Sequence, residues 1–419
     1  MLLTIVCTTL GTIILLAVYC DLWATVLHPG LESPLSNRFH RTAWRTLCIL
    51  SKVAPRPDRL LYAGLPLLIG GLILLWLILL GGGFALLYYP WVGNPAAFAT
   101  PPNVTGSWFD ALYVSGSTLF TLGYGDITPL TKPLRVVAVI EAGSGMATIS
   151  FAVAYVLAVY PALSRLRIRA TALDAEVAGH TSGVPMLRRY LLSDGRWNND
   201  MDDRLREMAL ELLELTENHE AHPILYYSHP PRVEQSILRM LLTIQQLIGL
   251  LRYGLSPERH ADLVHNPQLL LLEQSFSYSL RRLSVSLHTS LTEPPEEMVA
   301  ENDYHEAFAR ICGELEALGL VSSRQLDEHP VSVLAQGAPN VDSAAIGSDG
   351  TPAETAPSDR NASTYDPAFA QSSGTAREAY IAFRVATDRH IAAYAVTSGY
   401  TIAEALRNDE TAWGAVGSR

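Results

Sequence analysis

Three sets of residues in this chain of 419 could do chemistry. The first is Thr121-Leu122-Gly123-Tyr124-Gly125-Asp126, which combines a hydroxyl, a carboxylate and two glycines at alternate positions. Glycine reaches positive φ at little steric cost, so Gly123 and Gly125 permit a backbone that other L-residues resist. The second is Glu141, a carboxylate inside a long apolar run, where a functional role is the default hypothesis. The third is the group His219, His222 and His229 within one turn region. Such histidines can hold a metal, but surface and capping roles are commoner, and no resident metal is expected. Cys7, Cys20, Cys48 and Cys312 include no C-x-x-C pair, which argues against a disulfide framework and a zinc site. No catalytic triad or paired acids stand out. The expectation is a protein without catalytic residues or a cofactor, and not an enzyme.

The first set, together with the segment Ser107–Phe120 before it, resembles the selectivity filter and pore helix of the potassium channels. The usual filter reads T-V-G-Y-G-D, and Leu122 stands here in place of the valine. The resemblance covers about residues 60–162 and is to the bacterial two-transmembrane, pore-loop channel family, with an extra N-terminal membrane helix. It implies a cage of peptide carbonyls that replaces the water around K⁺, built from Thr121, Leu122, Gly123, Tyr124 and Gly125. Thr121 adds a hydroxyl at the inner end, Asp126 and Tyr124 brace the loop from behind, and Ser117 and Thr118 support it from the pore helix. One pore loop supplies a quarter of such a filter, so the resemblance implies a homotetramer. Phe120 departs from the pattern, because a small hydroxyl residue is common before the filter threonine. With Leu122, it keeps a weakly selective cation channel open as an alternative. A non-conducting, membrane-anchored helical scaffold is the alternative from another class.

Arg135, Glu141 and Gly145 match the R-x-x-x-x-x-E-x-x-x-G spacing seen on inner helices of bacterial channels. Gly143 and Gly145 are candidates for a gating hinge, or for close packing of the inner helix on the pore helix. Glu141 would face the cavity and concentrate cations, or face the back of the filter and accept hydrogen bonds from pore-helix residues such as Ser117. Periodicity from Gly145 favours the second and leaves Met146, Ile149, Val153 and Leu157 as an apolar cavity lining.

The elements that must position these residues follow from hydropathy and charge. The chain is 49% hydrophobic and 17% charged, with an apolar first part and a polar second part. Its net charge of −11 disfavours nucleic-acid binding. Residues 1–28 form an apolar run long enough to span a bilayer core of about 30 Å. A cleaved signal peptide is the rival, but a basic n-region and an A-x-A site are missing. The expected topology puts the N-terminus outside, residues 29–59 in the cytoplasm as a basic loop, and the stretch Trp91–Lys132 outside. Arg38, Arg41, Arg45, Lys52, Arg56 and Arg59 on the inner loop agree with that orientation, since basic residues accumulate on the cytoplasmic side. Arg38, Arg41 and Arg45 alternate with Phe39, Trp44 and Leu47 at helical spacing. That pattern suits a helix in the headgroup plane, either a slide-type lever or a plain anchor.

A pore module is expected over 60–163: an outer helix from about Leu60 to Tyr89, a re-entrant pore helix opened by a capping box at Ser107 and Asp110, the filter, and an inner helix Leu134–Tyr160. Pro161 with Arg165, Arg167 and Arg169 should end that helix inside the cell. Residues 170–330 read as an α-helical cytosolic domain, with amphipathic patterns at Asp203–His219, Pro231–Tyr253, Asn266–Ser290 and Glu296–Leu318. Composition over 331–375 predicts a disordered linker, and 376–410 a C-terminal helix apolar enough to dock. No G-x-G-x-x-G follows a strand, so a Rossmann-type regulatory domain is not expected. The predicted fold is thus an all-α, multi-pass protein of a bacterial inner membrane. Its expected partners are K⁺, lipids, its own copies and an unknown cytosolic ligand or protein that sets the gate.

Overall fold

A computed structural model describes residues 1–27, 33–102, 104–190, 197–198, 200–286, 301–323, 375–399 and 405. The chain forms two compact units, Met1–Leu166 with Glu217–Pro231, and Arg167–Thr216 with Arg232–Arg419. The division after Leu166 falls within the expected interval 163–170, while a short piece of the polar half, Glu217–Pro231, groups with the first unit.

The first unit begins with α1 (Leu2–Leu22), which continues through a wide turn at Trp23–Leu27. The basic segment is largely helical, as α2 (Pro34–Ser51) and α3 (Pro57–Tyr62), each opened by proline in its first turn. The outer helix α4 (Gly64–Tyr88) starts at Gly64 because Ala63 caps α3. The short strand β1 (Phe98–Ala99) precedes the pore-helix segment α5 (Trp108–Leu119) and pairs antiparallel with β2 (Thr128–Pro129) beyond the glycine loop. The inner helix α6 (Lys132–Glu176) follows. By length and composition, Leu2–Leu27, Gly64–Tyr88 and Lys132–Glu176 can each cross a membrane.

Buried Val18, Leu72, Trp76, Leu80, Phe84, Tyr88, Phe98 and Val114 make one core from α1, α4, β1 and α5. Lipid tails are as apolar as these side chains, so close packing rather than water exclusion must hold the helices together. Gly11 and Gly83 meet where a Cβ on Gly11 would lie 2.7 Å from the Gly83 carbonyl.

Proline does not end α6 as expected. The helix runs through Pro161, which removes one backbone donor and crowds the preceding turn. Buried Leu163 and Leu166, then Ala170 and Leu173 in the second unit, continue the apolar pattern and favour the helix over a break.

In the second unit, α6 is followed by α7 (Val184–Tyr190) and α8 (Asp200–Ala221), whose last residues belong to the first unit. Then come α9 (Ile237–Ile248) with a wide turn at Gly249–Gly254, α10 (Ala261–Val264), α11 (Pro267–Ser286), α12 (Glu301–Ala317) and α13 (Ala376–Ser398). Every residue of α9 is buried, which makes it the centre of the bundle. Helix α13 docks within this unit, with Tyr380 and Phe383 set against Tyr253, Phe276 and Phe308. The expected linker lies outside the described residues except for Thr375, which caps α13. The expected C-terminal helix is described to Gly399, where a left-handed residue closes it.

Candidate functional site

Helix α5 is set by its first turn. Ser107 accepts from the Asp110 backbone N–H at 3.3 Å, and the Asp110 carboxylate accepts from the Ser107 N–H at 2.8 Å. This reciprocal capping box satisfies donors that the helix leaves open and fixes where it starts. At the other end, the amides of Thr121 and Leu122 bond the carbonyls of Thr118 and Ser117 at 3.0 and 2.8 Å, and the chain leaves the helix there. The Ser117 and Thr118 hydroxyls both turn back to the Val114 carbonyl, at 3.0 and 2.8 Å. These two residues thus meet the loop through their backbone.

Thr121, Gly123 and Gly125 have φ values of +55°, +62° and +77°, while Leu122 and Tyr124 between them do not enter the positive region. The sign of φ thus alternates along five residues, a backbone that glycine makes accessible at every second position. Glycine removes the steric cost at two of the three left-handed positions, and Thr121 bears it at the third. All six residues Thr121–Asp126 are exposed in the single chain, with Leu122 57% and Tyr124 66% accessible.

The loop is braced at its C-terminal end. Tyr113 of α5 donates to Asp126 Oδ2 at 2.9 Å, and its ring stacks on Tyr124 at 6.2 Å between centroids and 6° between planes. The β1–β2 pair, the Leu130 amide on the Ala97 carbonyl at 2.8 Å and the Arg135 side chain on the Pro129 carbonyl at 3.0 Å hold the return to α6.

Glu141 of α6 is 0% exposed. It accepts from the Tyr88 hydroxyl of α4 at 2.7 Å and lies 2.5 Å from the Ser115 hydroxyl of α5, which also reaches the Gly81 carbonyl at 2.8 Å. The carboxylate therefore faces the pore helix and the outer helix. Its hydroxyl partner is Ser115, in place of the Ser117 expected from spacing. On the same side of α6, a Cβ on Gly145 would drive into the Leu119 carbonyl group, which gives this glycine a packing role against α5. Gly143 faces open space, with no heavy atom within 4 Å of where a Cβ would stand. Tyr19 of α1 hydrogen-bonds Ser144, so the N-terminal helix also touches α6 directly. Met146, Ile149, Val153 and Leu157 form an exposed apolar stripe along α6.

Sequence patterns do not single out Tyr88, Ser115 or Tyr113. Ser115 carries a weak signal, as one hydroxyl among several on α5. Tyr88 and Glu141 meet across 53 residues of chain, a separation that follows no local period. The three histidines do not converge either. The His219 ring lies tilted against Tyr226, 4.8 Å between centroids, and among the described residues no group of three His, Cys, Asp or Glu is placed to hold a metal ion.

Three apolar spans with a capped, non-spanning helix and a glycine loop between two of them define a multi-pass membrane protein. Residues 72–160 match the family model described as "Ion channel", which puts an ion-channel domain on α4, the loop and α6 and supports ion transport rather than covalent chemistry. The chain is also 27% identical over 295 residues to "Uncharacterized membrane protein YdjJ" of Bacillus subtilis (strain 168), covering 70% of this chain and 81% of that one. That similarity extends well past the ion-channel stretch. No solved structure matches the chain.

Proposed function

We propose that the protein is a K⁺-selective channel in which four subunits place their Thr121–Gly125 carbonyls around one axis. The observation that carries this reading is the alternating hand at Thr121, Gly123 and Gly125 in a loop left open to solvent on a single chain. Dehydrated K⁺ needs oxygens at close quarters, and one loop offers too few; three further copies complete the cage. Ser117, Thr118, Asp126 and Glu141 support the loop from behind. Met146, Ile149, Val153 and Leu157 line the inner cavity, where an apolar ring can gate by dewetting. The N-terminus lies outside the bacterial inner membrane and the helical unit in the cytoplasm, where it receives the gating signal.

Purified protein in liposomes should pass K⁺ down its gradient, with a reversal potential that follows K⁺ over Na⁺. Gly123→Ala puts a side chain on a left-handed residue of the filter and should abolish selective flux. Unchanged K⁺ flux in that variant refutes the filter assignment. A reversal potential midway between the two ions supports the weakly selective channel, and absence of any flux supports the scaffold.

A further inference from the structure

The one-turn segment Pro223–Tyr227 comes from the polar half of the chain but folds with the membrane unit. Ile224, Leu225 and Tyr226 are buried there. Tyr227 sets its ring against His40 and Trp44 of α2, with centroids 6.2 and 5.9 Å away. Trp44 covers Gly64 at the start of α4, and Phe39 covers Gly71 further along it, where a Cβ would lie 2.8 Å from its ring. Phe39 and Trp44 of α2 are therefore packed on protein, while Ile49 and Leu50 at its end stay exposed. Asp21 of α1 holds the start of α2. It accepts from the Ser36 amide at 3.1 Å, from the Ser36 hydroxyl, and from Trp76 Nε1 at 2.9 Å. Ser33, the residue at the capping position, makes no capping bond of its own, so Asp21 takes that role from another helix.

A small cavity of about 30 Å³ lies among these elements, lined by Thr25, Ser36, Asn37, His40, Tyr155 and Ile224. His40 is 3% exposed, and its Nε2 is buried with no hydrogen-bond partner. Buried polar atoms are nearly always paired, so an unpartnered nitrogen on a residue that lines a cavity asks for an account. We propose that this cavity is a proton-binding site: a proton taken up at His40 Nε2 charges the ring and releases the Pro223–Tyr227 turn from α2. The site itself stands on packing alone, whereas its effect on ion flow rests on the channel reading above.

Burial is what opposes a charged His40 in the docked form, and the titratable groups on the elements around it are these. From α1 the acid is Asp21, already engaged by Ser36 and Trp76. From α2, Arg41 and Arg45 add positive charge close to Tyr227. Helix α6 offers the Tyr155 phenol, and the turn region itself offers Tyr227, His222 and His219, the last against Tyr226. Burial holds His40 down from 6.5 to about 4 in the docked form. A depressed docked value means that docking is fully favoured above about pH 6.5 and weakens as pH falls toward 4, with no further loss below. If release returns His40 to its ordinary value, the released-to-docked ratio rises about tenfold from pH 7.5 to pH 5.5.

The test is hydrogen exchange on the full-length protein in liposomes at pH 7.5 and 5.5, corrected for intrinsic exchange. The reporters are the amides of Leu225 and Ser228, which bond the carbonyls of His222 and Leu225 at 2.9 and 3.1 Å. Wild type should lose about tenfold in protection at pH 5.5, His222→Gln should lose the same, and His40→Phe should lose none. Protection that ignores pH in wild type overturns the proposal, as does a loss that persists in His40→Phe or disappears in His222→Gln. Should His40→Phe fail to fold, a direct NMR titration of His40 in wild type decides: a midpoint near the ordinary 6.5 overturns the site. K⁺ flux is measured on the same samples. Exchange that responds to pH without flux at any pH leaves the proton site standing and defeats the channel reading, and flux without an exchange response does the reverse.

Discussion

The Tyr88–Glu141 contact sets a magnitude that can be measured. Both residues are fully buried, and their hydrogen bond is 2.7 Å long. Tyr88→Phe removes the phenolic oxygen and keeps the ring in its edge contact with Phe98, 5.8 Å between centroids. Glu141→Leu keeps most of the volume and removes both acceptors, while Ser115 retains the Gly81 carbonyl at 2.8 Å. A buried group left without its partner costs about 1–3 kcal/mol in a water-soluble protein. Between membrane helices the measured coupling averages about 0.6 kcal/mol and reaches about 1.7, because unfolded helices in lipid find other partners. The second range applies to a contact joining two spanning helices. The cycle of Tyr88→Phe, Glu141→Leu and both together should therefore give a coupling of about 0.6–1.7 kcal/mol, a factor of roughly three to twenty in the unfolding equilibrium. Unfolding by SDS in mixed micelles reads all four proteins on one scale. If the single effects add to within about 0.3 kcal/mol, the contact carries no energy and the view of Glu141 as the tie between α4 and α6 is wrong.

Gly145→Ala should destabilise the membrane unit by about 1–3 kcal/mol in the same assay, since the new methyl meets a backbone carbonyl that cannot swing aside. Gly143→Ala, with open space at that position, should leave the subunit's unfolding unchanged or slightly improved; equal losses at both glycines would refute the packing role. In the helical unit, Arg239 donates to Asp174 at 2.6 Å, to the Ala405 carbonyl at 2.8 Å and to the Gly179 carbonyl, all in a buried setting. Arg239→Met leaves Asp174 as an uncompensated buried acid and should cost about 3–5 kcal/mol in thermal unfolding followed by circular dichroism, with Asp174→Leu on the same chain recovering most of it. No recovery would mean that the lost carbonyl contacts, rather than the ion pair, set the cost.

Residue types and their local spacing make much of this protein legible. Apolar length marks the three spans, because a bilayer demands about twenty apolar residues of any crossing helix. Ser107 and Asp110 announce the start of α5, since a capping box depends only on residues three apart. The glycines at 123 and 125 signal a left-handed backbone through sterics that need no neighbours. Tertiary structure decided what depends on partners distant in the chain. It gave Glu141 the hydroxyls of Tyr88 and Ser115, carried α6 past Pro161 on the strength of buried leucines, and set Tyr227 on α2 beside His40. Period and propensity name the face a side chain occupies. Which side chain meets it there depends on the packing of whole helices, and that is where the carboxylate, the proline and the histidine acquired their roles.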